Sequence, residues 1–109
     1  MSGGYFDYNQ WKIGEIADEI EQLVRDNNDQ STNEWGDPVG RDYGLLTLAE
    51  FHRAIRILRM AEVYAQRIDW LVSGDDSEKS FHRRLAEDLE KIKESIIMNQ
   101  SIVITGAKT

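Results

Sequence analysis

Cysteine is absent from this 109-residue chain. That excludes disulfides, thiolate nucleophiles and Cys-ligated zinc, and it fits a reducing compartment, so a cytoplasmic location is expected. Proline occurs once, at Pro38, which leaves room for long unbroken helices. No apolar run approaches the ~20 residues of a membrane span, so no membrane association is expected. Residues 1–4 lack the basic and apolar regions of a signal peptide and read as a short flexible leader. The signatures of chemistry are missing as well. There is no GxSxG, no P-loop, no GxGxxG and no HExxH, so neither catalysis nor a cofactor is expected.

Positive charge is also scarce. Thirteen Lys and Arg stand against 20 Asp and Glu, a net charge of −7. Direct nucleic-acid binding is not expected from such a balance. The charge is uneven: residues 1–50 hold 11 acids and 3 bases, and residues 51–72 hold 4 Arg and 2 acids. An acidic first part beside a basic middle suits pairing within the chain, or docking on a basic partner.

What is present is helical periodicity. Residues 47–74 make the clearest long helix. Thr47 with Glu50 reads as a capping box, Leu46 with Phe51 as a hydrophobic staple, and Ser73-Gly74 as the stop. Ala54, Leu58, Ala61, Ala65, Ile68 and Val72 recur at steps of four and three, and Ile57, Met60, Tyr64 and Leu71 form a second stripe. Upstream, Tyr5, Phe6, Tyr8 and Trp11 precede a helix whose stripe is Ile13, Ile16, Ala17, Ile20, Leu23 and Val24. Asp7 with Gln10 reads as its capping box, and Phe6 with Trp11 as its staple. Gly14 either weakens this helix or permits a close approach. Downstream, Phe81, Leu85, Leu89, Ile92 and Ile96 mark a third stripe, widened by Ala86 and Ile97.

The expected fold is therefore all-α: one domain over residues 1–109, a three-helix bundle around a long central helix. Its helices cover about residues 8–27, 47–73 and 77–98. A long irregular loop spans 28–46, and the β-branched segment 99–109 is a flexible or extended tail able to add to a partner as an edge strand.

Each candidate constellation has a plainer counterpart. Residues 26–37 begin like a calcium loop, but the sixth position is Ser31 and the twelfth Asp37, where Gly and Glu are required. Glu78, His82 and His52 lack any zinc spacing, so no metal is assigned. Glu15 and Asp18 resemble the start of the magnesium site of all-α nucleotide pyrophosphatases. The central helix then offers only Glu62 and Asp69, seven apart, where a pair three apart is needed, and Glu87 and Glu90 lie far downstream. That enzyme reading is kept as an alternative. His52, Arg53, Arg56 and Arg59 form a basic cluster, suited to an anionic partner or to pairing with Glu15, Asp18, Glu19 and Glu21. The acidic face Asp18, Glu19, Glu21 and Asp26, continued by Asp29, would imitate DNA phosphates if it were one open band.

The candidate partner-binding residues are Trp35, Asp37, Tyr43, Arg56, Arg59 and Tyr64. Exposed aromatics and arginines dominate interfaces, whereas the same aromatics otherwise pin a loop to its domain. The latter role is the one expected of Trp11 and Trp70. The second stripe, Ile57, Met60, Tyr64 and Leu71, predicts a homodimer.

Residues 64–71, YAQRIDWL, followed by Ser73-Gly74-Asp75-Asp76, resemble segments of small uncharacterised helical proteins of phages and prophages. The Glu34-Trp35-Gly36-Asp37-Pro38 loop adds to the likeness, which covers about half the chain. The resemblance implies a non-enzymatic protein-interaction module, an inhibitor or adaptor acting on a host protein in the host cytoplasm. It transfers no catalytic residue.

Overall fold

A computed structural model describes the backbone of residues 4–108 and the side chains of residues 4–93. It contains three helices: α1 (Gln10–Arg25), α2 (Leu45–Val72) and α3 (Glu78–Lys108). The fold is all-α, with α2 packed against both neighbours, and α1 and α3 do not touch among the described residues. Among the described residues the bundle is therefore open, with α1 and α3 flanking α2 and closing no shared core. The chain spreads over 50 × 38 × 17 Å with a radius of gyration of 17.7 Å. About 13 Å is usual for this length. Among the described residues Ala17 is the only fully buried apolar side chain.

Polar contacts hold α1 on α2. The Asp69 carboxylate is fully buried. It accepts the Gly4 N–H at 3.1 Å, the Tyr5 N–H at 2.8 Å and the Gln10 side-chain amide at 2.8 Å. The Ser73 hydroxyl donates to it at 3.3 Å. Gln10 also donates to Gln66 Oε1 at 2.8 Å. One carboxylate thus ties the N-terminal segment and the start of α1 to the end of α2. Burial alone would push Asp69 up, but donation from Tyr5, Gln10, Gly4 and Ser73 outweighs it and holds the carboxyl below its ordinary value.

One turn further along α1, Gly14 is buried beneath Glu62. A Cβ at residue 14 would meet the Glu62 carboxylate, so a larger residue there would displace that side chain. Arg59 spans the next turn. It donates to the Gly14 carbonyl at 3.3 Å and to Asp18 and Glu21 at 2.6 Å each. Gln10 and Gly14 facing Asp69 and Glu62, with Asp18 and Glu21 facing Arg59, make the two helices antiparallel. On the other side, Arg67 reaches Asp88 of α3 at 2.7 Å and lies 4.7 Å over the Trp70 ring.

Several local expectations are corrected. Neither capping box forms. α2 starts at Leu45 behind Gly44, and α1 at Gln10 behind Asn9, with no side-chain cap bond at either. Gln10 turns inward to Asp69 instead, and Asp7 and Tyr8 stand at φ 54° and 60° in a tight turn. The Leu46–Phe51 staple is replaced by an exposed Leu46, while Phe51 takes the Tyr43 ring edge-on. Trp11 is exposed and does not pin the segment. α2 stops where expected, with the Gly74 N–H on the Leu71 carbonyl and the Asp75 N–H on that of Trp70. α3 runs to Lys108, past the predicted end near residue 98 and through the predicted extended tail. Residues 1–3 of the predicted leader lie outside the described residues, as do the side chains of Ile96 and Ile97. Gly4 is bound to Asp69.

Asp69 sets the acid sensitivity of this junction. Its folded pKa is lowered, so its contribution is present above the unfolded carboxylate pKa and is lost as pH falls through the folded value. In thermal melts followed by circular dichroism, Asp69→Asn is expected to lower the Tm at neutral pH by roughly 5–15 °C, the scale of a few lost buried hydrogen bonds. The gap between wild type and variant is expected to narrow as pH falls below the unfolded carboxylate pKa and through the lowered folded value.

Candidate functional site: a closed hairpin loop that displays Trp35

The segment between α1 and α2, expected to be irregular, is a closed hairpin-like loop. It is built from its base upward. At the base Asn27 is buried. Its side-chain oxygen accepts the Tyr43 N–H at 2.8 Å, and its amide donates to the Tyr43 carbonyl at 3.1 Å. Its backbone carbonyl takes the Asp42 N–H at 2.9 Å. An asparagine amide presents the same donor and acceptor as a peptide group, so Asn27 pairs with residue 43 as a strand would.

The two arms then zip together. Gly40 N–H donates to the Asp29 carbonyl at 3.1 Å, Val39 N–H to Ser31 at 3.0 Å and Asn33 N–H to Asp37 at 2.8 Å. Thr32 and Pro38 form an antiparallel bridge. Gly40 sits where the arms press on the end of α1. A Cβ there would stand 2.5 Å from the Asp29 carbonyl oxygen and 2.7 Å from that of Asn27. Asp29 braces its arm through the Ser31 N–H at 2.8 Å and the Ser31 hydroxyl at 2.6 Å. The hydroxyl first, then the amide, holds the Asp29 carboxyl below its ordinary value.

The tip is held from inside. Asn33 Oδ1 accepts the N–H groups of Trp35 at 2.9 Å and Asp37 at 3.0 Å. These bonds leave the indole outside: Trp35 is 77% exposed. Glu34 and Asp37 flank it, and both are exposed. Residues 26–44 carry five acids and one arginine, so the aromatic stands on an acidic loop. Just beyond the base, Leu45 and Leu46 are 85% and 87% exposed.

The predicted site residues therefore separate. Trp35 and Asp37 meet at the tip. Tyr43 belongs to the base, where its ring lies 5.5 Å from that of Phe51. Arg59 is committed to Asp18 and Glu21; donation to Glu21 is the largest influence and, with donation to Asp18, raises its pKa against the opposing effect of burial. Arg53 pairs with Glu50 on its own helix rather than with α1. Arg56 and Tyr64 are exposed on α2. Of the acidic face, Asp18 and Glu21 are tied to Arg59, Asp26 accepts the Gln22 amide at 2.9 Å, and Glu19 is exposed.

The carboxylates once set against a magnesium site are otherwise engaged. Asp69 is consumed by the N-terminal segment, and Glu62 lies over Gly14. Burial raises the Glu62 pKa, the nearby Arg59 opposes the rise, and Asp18 adds to it. Among the described residues no three His, Asp or Glu side chains stand together as a metal site, and no helix is long and apolar enough to cross a membrane. The chain matches no protein family, no curated protein and no solved structure.

Three features of the loop carried a sequence signal that goes unread locally. Asn27, Asn33 and Gly40 are turn-type residues, but their roles depend on partners across the loop. If Gly40 closes the base as described, Gly40→Ala is expected to speed amide hydrogen exchange at residues 39–42 by about tenfold or more while α2 stays protected. Unchanged exchange across the loop would refute the described packing.

Proposed function

We propose that this chain is a non-enzymatic protein-binding module whose contact point is the loop tip bearing Trp35. The observation that carries the reading is a mostly exposed indole on a turn whose backbone is already hydrogen-bonded. Leaving an indole in water forgoes the burial that stabilises most tryptophans. Holding it on a preformed turn also removes much of the ordering cost of binding. Tryptophan is among the residues that dominate interface energetics.

The flanking Glu34 and Asp37 give the partner its chemistry: an apolar pocket with basic groups on its rim. Complementary rim charge speeds encounter and sets orientation. The resemblance to small phage and prophage proteins supports an inhibitor or adaptor that engages a host protein in the host cytoplasm. The DNA-mimic reading loses its support, because Arg59 interrupts the acidic band at Asp18 and Glu21.

The test uses the full chain as bait in bacterial lysate, followed by titration of the purified partner. Trp35→Ala is expected to weaken binding by about thirtyfold or more, the scale of an interface anchor. Glu34→Lys with Asp37→Lys is expected to slow association and to weaken the salt dependence. Equal affinity for wild type and Trp35→Ala would refute this site.

A further inference from the structure

The N-terminal segment reaches α2 through Asp69. Residues 4–9 form two successive turns in front of α1. The Asp7 N–H donates to the Gly4 carbonyl at 3.1 Å, and the Asn9 N–H to that of Phe6 at 3.0 Å. The attachment to α2 is polar: the Gly4 and Tyr5 N–H groups bond the Asp69 carboxylate. Little apolar surface adds to it. Phe6 is half-buried, whereas Tyr5 is 65% and Tyr8 48% exposed. A segment held by a few hydrogen bonds, with few buried apolar contacts, belongs to the low-stability end of a structure.

The second turn resists its own closure. From Phe6 to Asn9 both central residues have positive φ, 54° at Asp7 and 60° at Tyr8. This is the φ pattern of a type I′ turn, whose central positions favour Asn, Asp and Gly. Asp7 suits it. Tyr8 stands where glycine is favoured, so its backbone is strained. The junction carries a second unfavourable feature: Gln10 Oε1 is buried and finds no donor among the described residues. The closed segment is thus a balance, with hydrogen bonds to one carboxylate on one side and backbone strain on the other.

We propose that residues 4–9 are a strained latch that opens as a unit and governs access to Asp69. Opening releases the left-handed backbone at Asp7 and Tyr8. It leaves Asp69 with the Gln10 amide and the Ser73 hydroxyl as donors and frees the acceptor positions that Gly4 and Tyr5 had filled. A carboxylate uncovered in this way accepts N–H donors from water or from another molecule. The α1–α2 pair stays joined further along, where Arg59 holds Asp18 and Glu21. Because the two helices are antiparallel, the latch stands at the opposite end of the pair from the Trp35 loop, and it is independent of the binding role proposed for that loop.

Native-state hydrogen exchange on the full chain tests the latch. The Tyr5 amide is expected to exchange by local opening, at a rate that low denaturant leaves unchanged, while amides in the middle of α2 follow global unfolding. Two variants isolate the turn. Tyr8→Asn keeps a residue that tolerates the left-handed region, and Tyr8→Val places a β-branched one there. Both remove the Tyr8 ring from beside Gly4, so their difference reads the backbone. The Tyr5 amide is expected to exchange about tenfold or more faster in Tyr8→Val than in Tyr8→Asn, with α2 still protected in both. Carbodiimide labelling of Asp69, read by mass spectrometry, is expected to follow the same order. Wild-type exchange at Tyr5 that tracks α2 in denaturant would overturn the latch. So would equal exchange at Tyr5, or equal labelling of Asp69, in the two variants.

Discussion

The fold depends most on a single buried carboxylate. Asp69 collects two backbone N–H groups, a side-chain amide and a hydroxyl from three separate parts of the chain. A buried charge is costly unless its lone pairs are filled, and each donor here removes part of that cost. The same requirement acts as a constraint on geometry. Residues 4 and 5 must turn back towards α2, and Gln10 must point inward, for the carboxylate to be satisfied. The tight turn at Asp7 and Tyr8, both in the left-handed region, follows from that path.

From Asp69 the α1–α2 contact proceeds as a row of polar and small residues rather than a hydrophobic seam. Gln66, Glu62 and Arg59 on α2 meet Gln10, Gly14, Ala17, Asp18 and Glu21 on α1. This arrangement spends little apolar surface on the joint. Among the described residues Ala17 is accordingly the one fully buried apolar side chain. The central helix serves both neighbours through polar contacts: Arg59 with Asp18 and Glu21 towards α1, and Arg67 with Asp88 towards α3.

The loop solves a related problem in miniature. A segment with little apolar content has only hydrogen bonds to order it, and residues 27–43 use side chains as substitute peptide groups. Asn27 closes the base and Asn33 closes the tip, each by accepting from backbone N–H groups within its own segment. A loop ordered in this way needs no aromatic to pin its tip. Tyr43 fills that role at the base, and Trp35 is released to the surface.

What the amino-acid sequence determined by itself is the set of helices and the stop of α2 at Ser73-Gly74. Those depend on period and on glycine, both of which act within a few residues. It also determined that chemistry resting on cysteine is excluded, since no fold supplies a missing residue type. Only the tertiary structure decided the rest. Gln10 and Asp69 are 59 positions apart, and Arg59 and Asp18 are 41 apart. Nothing in their local surroundings distinguishes them from solvated polar residues. The Asp7–Gln10 capping box did not form because the buried Asp69 carboxylate offered Gln10 a better-shielded hydrogen bond, and the Thr47–Glu50 box did not form because α2 begins earlier, at Leu45, and Glu50 pairs with Arg53. Likewise Trp35 and Tyr43 looked alike in sequence. The loop's own hydrogen bonds separated them, fixing one against Phe51 and leaving the other in water.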